Sequence, residues 1–369
     1  MTAALTYLTM DSVLGGVGAS QVLPYVQRLA ASGLSVDLHS FEPASRGADL
    51  GPRIEWHPHR FGRGGPAAGA ARVAVGATAL RRARLVHARS DLAAASALLA
   101  RPACWVWDVR SFWVDQRIAL GMVCAGSSIE RVLRTVESQA ARQATAITTL
   151  TRAAIEELAQ HHGAAVAAKA HVVPTCVDLD RFRVSALPDS PISLLLSGSY
   201  NALYDLPTML RLVTVLRRQR LAEVTLLRPD PTPRDAEVLA AGGHVASSSF
   251  ADMPSHVADH HAGLSVCRAA HPRALVAAMP TKIAEFLASG RPVVVNTGLG
   301  DCDALLPAAG AGVVMAGTDA AAVDRAAAQL LDLIDDPSTP ARCRRLAEDH
   351  FSLEGAVATL QGIYRQIEA

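Results

Sequence analysis

The chain has 369 residues, half of them hydrophobic and 19% charged, with a formal net charge of +1. That length exceeds one typical core and suits two domains, and the even charge balance gives no overall pull toward nucleic acid or membrane. No apolar run reaches the length that spans a bilayer, and the N-terminus lacks a signal peptide's basic start and cleavage site, which predicts a cytoplasmic protein. Six cysteines (Cys104, Cys124, Cys176, Cys267, Cys302, Cys343) lie far apart with no Cys-x-x-Cys pair. They read as reduced core thiols, not as disulfides or a metal cage.

The first apolar strand, "ALTYLTM", runs into "DSVLGGVGASQVLPYVQRLAASG", where Gly15, Gly16 and Gly18 crowd a turn ahead of a helix. Glycines let backbone approach a ligand, and a helix start offers unpaired N–H groups to an anion. A dinucleotide fingerprint requires a third glycine where Gln21 stands, and a Walker loop requires a lysine that is missing. Glu42, at the end of "SVDLHSF", stands where a ribose-binding acid sits in nicotinamide proteins, so an NAD(P)-dependent oxidoreductase or epimerase is the alternative. Between Glu55 and Asp91 lie Arg60, Arg63, Arg72, Arg81, Arg82, Arg84 and Arg89 with no acid. This 60–89 segment reads as a solvated face or as a contact for an anionic acceptor or lipid surface. No Tyr or Trp falls between Phe61 and Trp105, which argues against base stacking and a nucleic-acid partner.

"RLVHARS" and "CWVWDVRSFW" follow, placing His87, Asp108 and Arg110 at strand ends. These three are the candidate catalytic residues, facing the predicted crevice; the plain alternative for Asp108 and Arg110 is a structural ion pair. Trp107, Phe112 and Trp113 suit either an acceptor ring or the core. The strand–helix alternation closes with "AHVVPT". It restarts at "PISLLLSGS" after the Pro- and Asp-rich stretch at 174–191, so two doubly wound α/β domains are predicted, with the ligand crevice at the carboxyl ends of their strands. In the second series, Gly198 and Ser199 end the first strand, while Arg228 and Arg268 end later ones. "AAMPTKIAEFLASGRPVVVNTGLGD", residues 277–301, puts Lys282 in the first turn of a helix and Glu285 on the same face. The lysine suits an anion, and the glutamate suits vicinal hydroxyls; the plain alternative is a surface salt bridge between them. "HH" at 161–162 and 260–261 lacks ligand spacing, so no metal is expected.

Together, "LGGVGASQVLPYVQRLAASG", "VVPTCVDLDRF" and "PTKIAEFLASGRPVV" resemble the retaining GT-B glycosyltransferases of family 4, from residue 6 to about 365. The resemblance implies two Rossmann-like domains facing across a cleft. An acceptor-side domain would cover 1–183, with a helix at about 351–369 packing back on it. A nucleotide-sugar domain would cover 184–350. It also implies a nucleotide diphosphate sugar donor, an acceptor among natural products, glycans or lipid-linked intermediates, and no metal or further cofactor. Gly15, Gly16 and Gly18 would lie near the diphosphate, and Glu285 would bond the ribose. Two departures stand out. Ala277 replaces the first glutamate of the Glu-x7-Glu motif, and the usual Arg/Lys pair is missing from "SGSYNALYDLPTM". Lys282, Arg228 or Arg268 would have to replace that charge, and a degenerate GT-B binding protein is a further alternative.

Overall fold

Short runs rich in Val, Leu and Ile, too short and too β-branched to favour helix, form the strands, and the alanine-rich stretches between them form helices. The structure is a computed structural model that describes residues 4–44, 47–61, 65–189, 191–198, 200–268 and 272–369. It divides into two compact units, residues 1–174 with 353–369, and residues 175–352.

The N-terminal unit carries seven strands, β1 (Ala4–Thr9), β2 (Ser35–Glu42), β3 (Ile54–Arg60), β4 (Leu85–Arg89), β5 (Cys104–Val109), β6 (Ala146–Thr149) and β7 (Ala170–Val172). All pair in parallel, in the order β3-β2-β1-β4-β5-β6-β7. The C-terminal unit carries six, β8 (Ile192–Ser197), β9 (Ala222–Leu227), β10 (His244–Ala246), β11 (Ala262–Ser265), β12 (Val293–Asn296) and β13 (Gly312–Met315). Their order is β10-β9-β8-β11-β12-β13, again parallel. Strand order reverses between β1 and β4 in one sheet and between β8 and β11 in the other. At such a reversal the flanking loops part, and a crevice opens beyond the strand ends.

Leu194, Leu196, Val224, Leu226, Leu264 and Val294 fill the C-terminal core under the helices Leu206–Gln219 and Ala320–Asp335. The last helix, Leu353–Glu368, returns to the N-terminal unit. It is held there by Arg28 to Glu354 at 2.6 Å, by Gln361 Nε2 donating to Ser32 Oγ at 2.6 Å, and by buried Leu360, Ile363 and Tyr364. Residues 175–183, expected with the first domain, pack on the second unit. Thr175 Oγ1 donates to Met279 O at 2.6 Å, and Arg344 Nη1 donates to Phe182 O at 2.6 Å. All six cysteines are free; four are buried, Cys104 is half-buried and Cys124 is exposed. Among the described residues no helix is long and apolar enough to cross a membrane.

Arg291 is fully buried, and its guanidinium donates to Ser185 O at 3.0 Å, Ser185 Oγ at 2.8 Å, Ala186 O at 2.9 Å and Ala258 O at 2.6 Å. It ties the 185–186 segment to the end of the helix Met253–Ala258. Leaving those acceptors without a donor costs about 1–3 kcal/mol each where water cannot replace it. Arg291→Met is therefore expected to lower stability by about 3 kcal/mol in denaturant unfolding followed by circular dichroism; a loss under about 0.5 kcal/mol removes this role.

Candidate functional site

In the C-terminal unit the helix Thr281–Ala288 begins beside the β8/β11 reversal. Phe286 anchors it. A Cβ on Gly263 of β11 would come within 2.2 Å of the Phe286 ring, so only glycine admits this packing. With Ile283, Ala284 and Phe286 locked in the core, Lys282 and Glu285 are also carried below the surface, each 7% exposed. No ion pair joins them, so the surface salt bridge is not what forms. Lys282 Nζ has no hydrogen-bond partner among the described residues. It lies 4.0 Å from the ring centre of Tyr200 and 4.1 Å from that of Tyr204. Both rings present their negative faces to the ammonium. Tyr200 is fixed in turn by its hydroxyl donating to Leu264 O at 2.5 Å.

Burial lowers the Lys282 pKa to about 7, against the opposing pull of Cys267 and Glu285. Burial likewise raises Glu285 to about 7, against Lys282 and Arg181. Each group is thus poised between its charged and neutral forms, and a ligand's charge decides between them. Gly198 ends β8 with φ +88°, and a Cβ there would lie 3.9 Å from Lys282 Nζ. The chain passes the ammonium at a point where a side chain would be strained.

The remaining candidates in this unit divide. Arg228 donates from Nε and Nη2 to Asp235 Oδ2 at 2.9 and 2.6 Å, and from Nη1 to Ser247 Oγ at 2.6 Å. Its charge is matched within the protein. Arg268 is exposed and reaches Tyr204 O at 3.4 Å. Ser199 lies outside the described residues, as does Arg63 of the arginine-rich segment. Ala277, in place of the motif glutamate, is fully buried.

In the N-terminal unit the glycine turn follows β1 at the β1/β4 reversal. The three glycines serve different ends. Gly16 has φ +55°, and a Cβ on Gly15 or Gly16 would meet nothing within 4 Å, so the turn faces open space. On Gly18 a Cβ would sit 1.9 Å from Ser12 O, so Gly18 closes the helix Gly16–Gln21 onto the turn. It supplies the close packing that the fingerprint assigns to a glycine at the position of buried Gln21. Glu42 is committed here. Its Oε1 accepts from Val13 N–H at 2.9 Å and Ser40 Oγ at 2.6 Å, and its Oε2 accepts from Ser12 Oγ. Buried, with three donors already on its carboxylate, it positions the turn, which weighs against its standing open to a ribose as the nicotinamide alternative needs.

His87, Asp108 and Arg110 come together at the ends of β4 and β5. Asp108 Oδ1 accepts from Thr148 Oγ1 at 2.9 Å and lies 3.4 Å from Arg110 Nη1, while Oδ2 lies 3.3 Å from His87 Nε2. Burial works against the carboxylate, but Arg110, His87 and Arg89 outweigh it and hold Asp108 well below the usual range. On the far side of the imidazole, Tyr364 Oη is 2.8 Å from His87 Nδ1, and Tyr7 stacks on the ring at 4.4 Å. With Asp108 ionised, the fitting tautomer carries its proton on Nε2 and accepts the Tyr364 O–H at Nδ1. Both His87 and Asp108 are buried, whereas Arg110 keeps 12% of its side chain exposed. Beside them Arg89 reaches Asp11 at 3.5 Å. Trp107 and Phe112 are core residues, at 0% and 1% exposure; of the three aromatics expected near an acceptor, Trp113 alone is half-exposed, with Arg117 over its ring at 4.7 Å. Thr148, Tyr364 and the ring pair Tyr200–Tyr204 are members of these sites that sequence spacing did not single out.

Residues 15–176 match the family described as a glycosyl transferase 4-like domain. No curated protein matches the sequence. Among solved structures, sucrose-phosphate synthase from Thermosynechococcus elongatus aligns with a TM-score of 0.73 at 16% identity, over 99% of this chain and 98% of that one. WaaG, a glycosyltransferase involved in lipopolysaccharide biosynthesis, aligns with a TM-score of 0.71 at 16% identity, over 98% and 99%. HepE from Anabaena, solved in complex with UDP and glucose, aligns with a TM-score of 0.67 at 13% identity, over 98% and 99%. At these identities the likeness is one of fold, and the fold is GT-B.

The buried ammonium opposes folding, since the unfolded chain keeps Lys282 protonated up to 10.5 and the folded chain only to about 7. Wild-type stability therefore rises with pH across that window. Lys282→Met is expected to raise the melting temperature by about 2–6 °C at pH 7, with a gain that shrinks toward pH 10. A lower melting temperature at pH 7 contradicts an unpartnered cation.

Proposed function

We propose that this chain, a glycosyltransferase of the GT-B fold by its glycosyl transferase 4-like domain, moves a sugar from a nucleoside diphosphate sugar to a hydroxyl-bearing acceptor. Transfer retains the anomeric configuration and uses no metal. The observation that carries the reading is Lys282: a buried cation with no hydrogen-bond acceptor among the described residues, at the β8/β11 reversal, beside Gly198 and one helical turn from Glu285. A diphosphate supplies the missing acceptor and favours the charged ammonium. The charged ammonium in turn favours the Glu285 carboxylate, which accepts the two ribose hydroxyls. HepE, of the same fold, has been solved with UDP-glucose, which supports a uridine donor as the first to try.

In the N-terminal unit the turn of Gly15, Gly16 and Gly18 serves the diphosphate and the transferred sugar, and Arg110 serves the acceptor. Asp108 is a poor general base because it is held ionised and occupied by Thr148, His87 and Arg110. The leaving diphosphate oxygen takes the proton instead. The bond from the anomeric carbon to that oxygen breaks, the acceptor oxygen bonds to the anomeric carbon on the same face, and the acceptor's proton passes to the phosphate. Arg110 is the group of this triad that meets substrate, and Asp108 and His87 are positioning residues that aim it. Exposed Arg81 and Arg82 suit an anionic or lipid-linked acceptor, presented at the cytoplasmic face of a membrane. Nothing in the structure favours the oxidoreductase alternative.

Calorimetric titration with UDP, GDP, ADP, dTDP and NAD tests the donor assignment. One nucleoside diphosphate is expected to bind and NAD is not, and Glu285→Ala is expected to weaken the nucleotide by about 2–3 kcal/mol. Unchanged affinity and turnover in that variant would sink the donor site, and tight binding without any sugar transfer would favour the degenerate binding protein. Binding needs Lys282 protonated and Glu285 ionised, so affinity is expected to peak near pH 7, falling above it with proton uptake by Lys282 and below it with proton release from Glu285, both seen as a buffer-dependent binding enthalpy. Affinity that is flat from pH 6 to 9 contradicts the assignment. Arg110→Ala is expected to reduce transfer while leaving nucleotide affinity within about twofold; an equal loss of both counts against its acceptor role.

A further inference from the structure

Along β2 and β3 every second residue faces the same side of the sheet. On one face β2 presents Asp37 and His39, and β3, the strand at the sheet edge, presents Glu55, His57 and His59. The parallel register sets Asp37 beside Glu55 and His39 beside His57. Three imidazoles and two carboxylates thus share one patch at the β3 edge of the sheet, and the proposed transfer uses none of them.

The side chains are already drawn together. His39 stacks on His57 at 4.5 Å and on His59 at 5.3 Å, and His39 Nδ1 lies 3.1 Å from His59 Nε2. An N–H···N contact of this kind requires at least one neutral ring. Each of Asp37, Glu55 and His57 places one ligand atom within 4.8 Å of the others, with His57 Nε2 3.5 Å from Glu55 Oε1. Tetrahedral ligands on bonds of about 2.0–2.2 Å are spaced about 3.3–3.6 Å apart, a spacing the His57–Glu55 pair already has and the set approaches.

We infer that Asp37, Glu55 and His57 bind one divalent ion of the zinc class, tying the edge strand β3 to β2. The mixed donor set selects the ion: an imidazole nitrogen suits zinc and its transition-metal neighbours, whereas magnesium prefers oxygen and keeps its waters. A dication relieves the repulsion between Asp37 and Glu55. It also fastens an edge strand whose outer ladder groups are otherwise unpaired, while water completes the coordination. The stacked rings of His39 and His59 back His57 and restrict its ring.

The test is calorimetric titration of the full chain, first stripped with chelator, using zinc chloride and separately magnesium chloride, with a melting curve at each end point. One zinc per chain with micromolar affinity, a raised melting temperature and no response to magnesium are expected. His57→Ala and Glu55→Gln are each expected to weaken zinc by at least about tenfold. His161→Ala, on an exposed helix end, is expected to leave zinc binding unchanged. Glu55→Gln preserves shape, and its metal-free melting curve, matched to wild type, separates lost ligation from lost folding. No zinc binding, or zinc affinity retained in either variant, overturns the inference.

Discussion

A buried ammonium group, Lys282, with no hydrogen-bond acceptor among the described residues is the constraint on which the C-terminal site depends. Burying such a charge costs folding energy, and the unit tolerates it because other contacts outweigh it. The Phe286 ring against Gly263 fixes the helix Thr281–Ala288, and that fixed helix leaves Lys282 no route to solvent. The rings of Tyr200 and Tyr204 soften the penalty without removing it.

The N-terminal unit solves the opposite problem. Its buried charges are matched: Asp108 by Thr148, His87 and Arg110, and Glu42 by Ser12, Val13 and Ser40. Carboxylates so matched hold loops still. Glu42 fixes the start of the glycine turn, and Asp108 fixes Arg110, so that what remains open to a substrate is backbone and guanidinium. The two units therefore differ in their electrostatics: the C-terminal one holds Lys282 without a hydrogen-bond partner among the described residues, and in the N-terminal one the Asp108 and Glu42 carboxylates are met by nearby donors.

The legible part of the sequence was the part governed by local periodicity. Alternating apolar strands and alanine-rich helices, restarting near residue 191, were enough for two parallel-sheet units. The Pro280–Lys282–Glu285 spacing was enough to put the last two residues on one helical face. Local pattern was mute about depth. Whether Lys282 and Glu285 form a surface pair or a buried, separated pair depends on Phe286 finding Gly263, two residues 23 positions apart in the chain. The ionisable patch on β2 and β3 escaped notice for a related reason. Its histidines alternate with other residues along two strands, and only the register brings them into contact.

By itself, then, the sequence determined the fold class, the glycine turn and the helix that carries Lys282 and Glu285, because each follows from neighbours within a few residues. Tertiary structure decided the rest: that Glu42 braces the turn, that Arg228 is spent on Asp235, that Trp107 and Phe112 are core, and that Tyr364 returns from the chain's end to hold His87. All of these are questions of partner and burial. The answer lies in which distant segments the packed units bring within about 3 Å of each other, a quantity that local spacing does not encode.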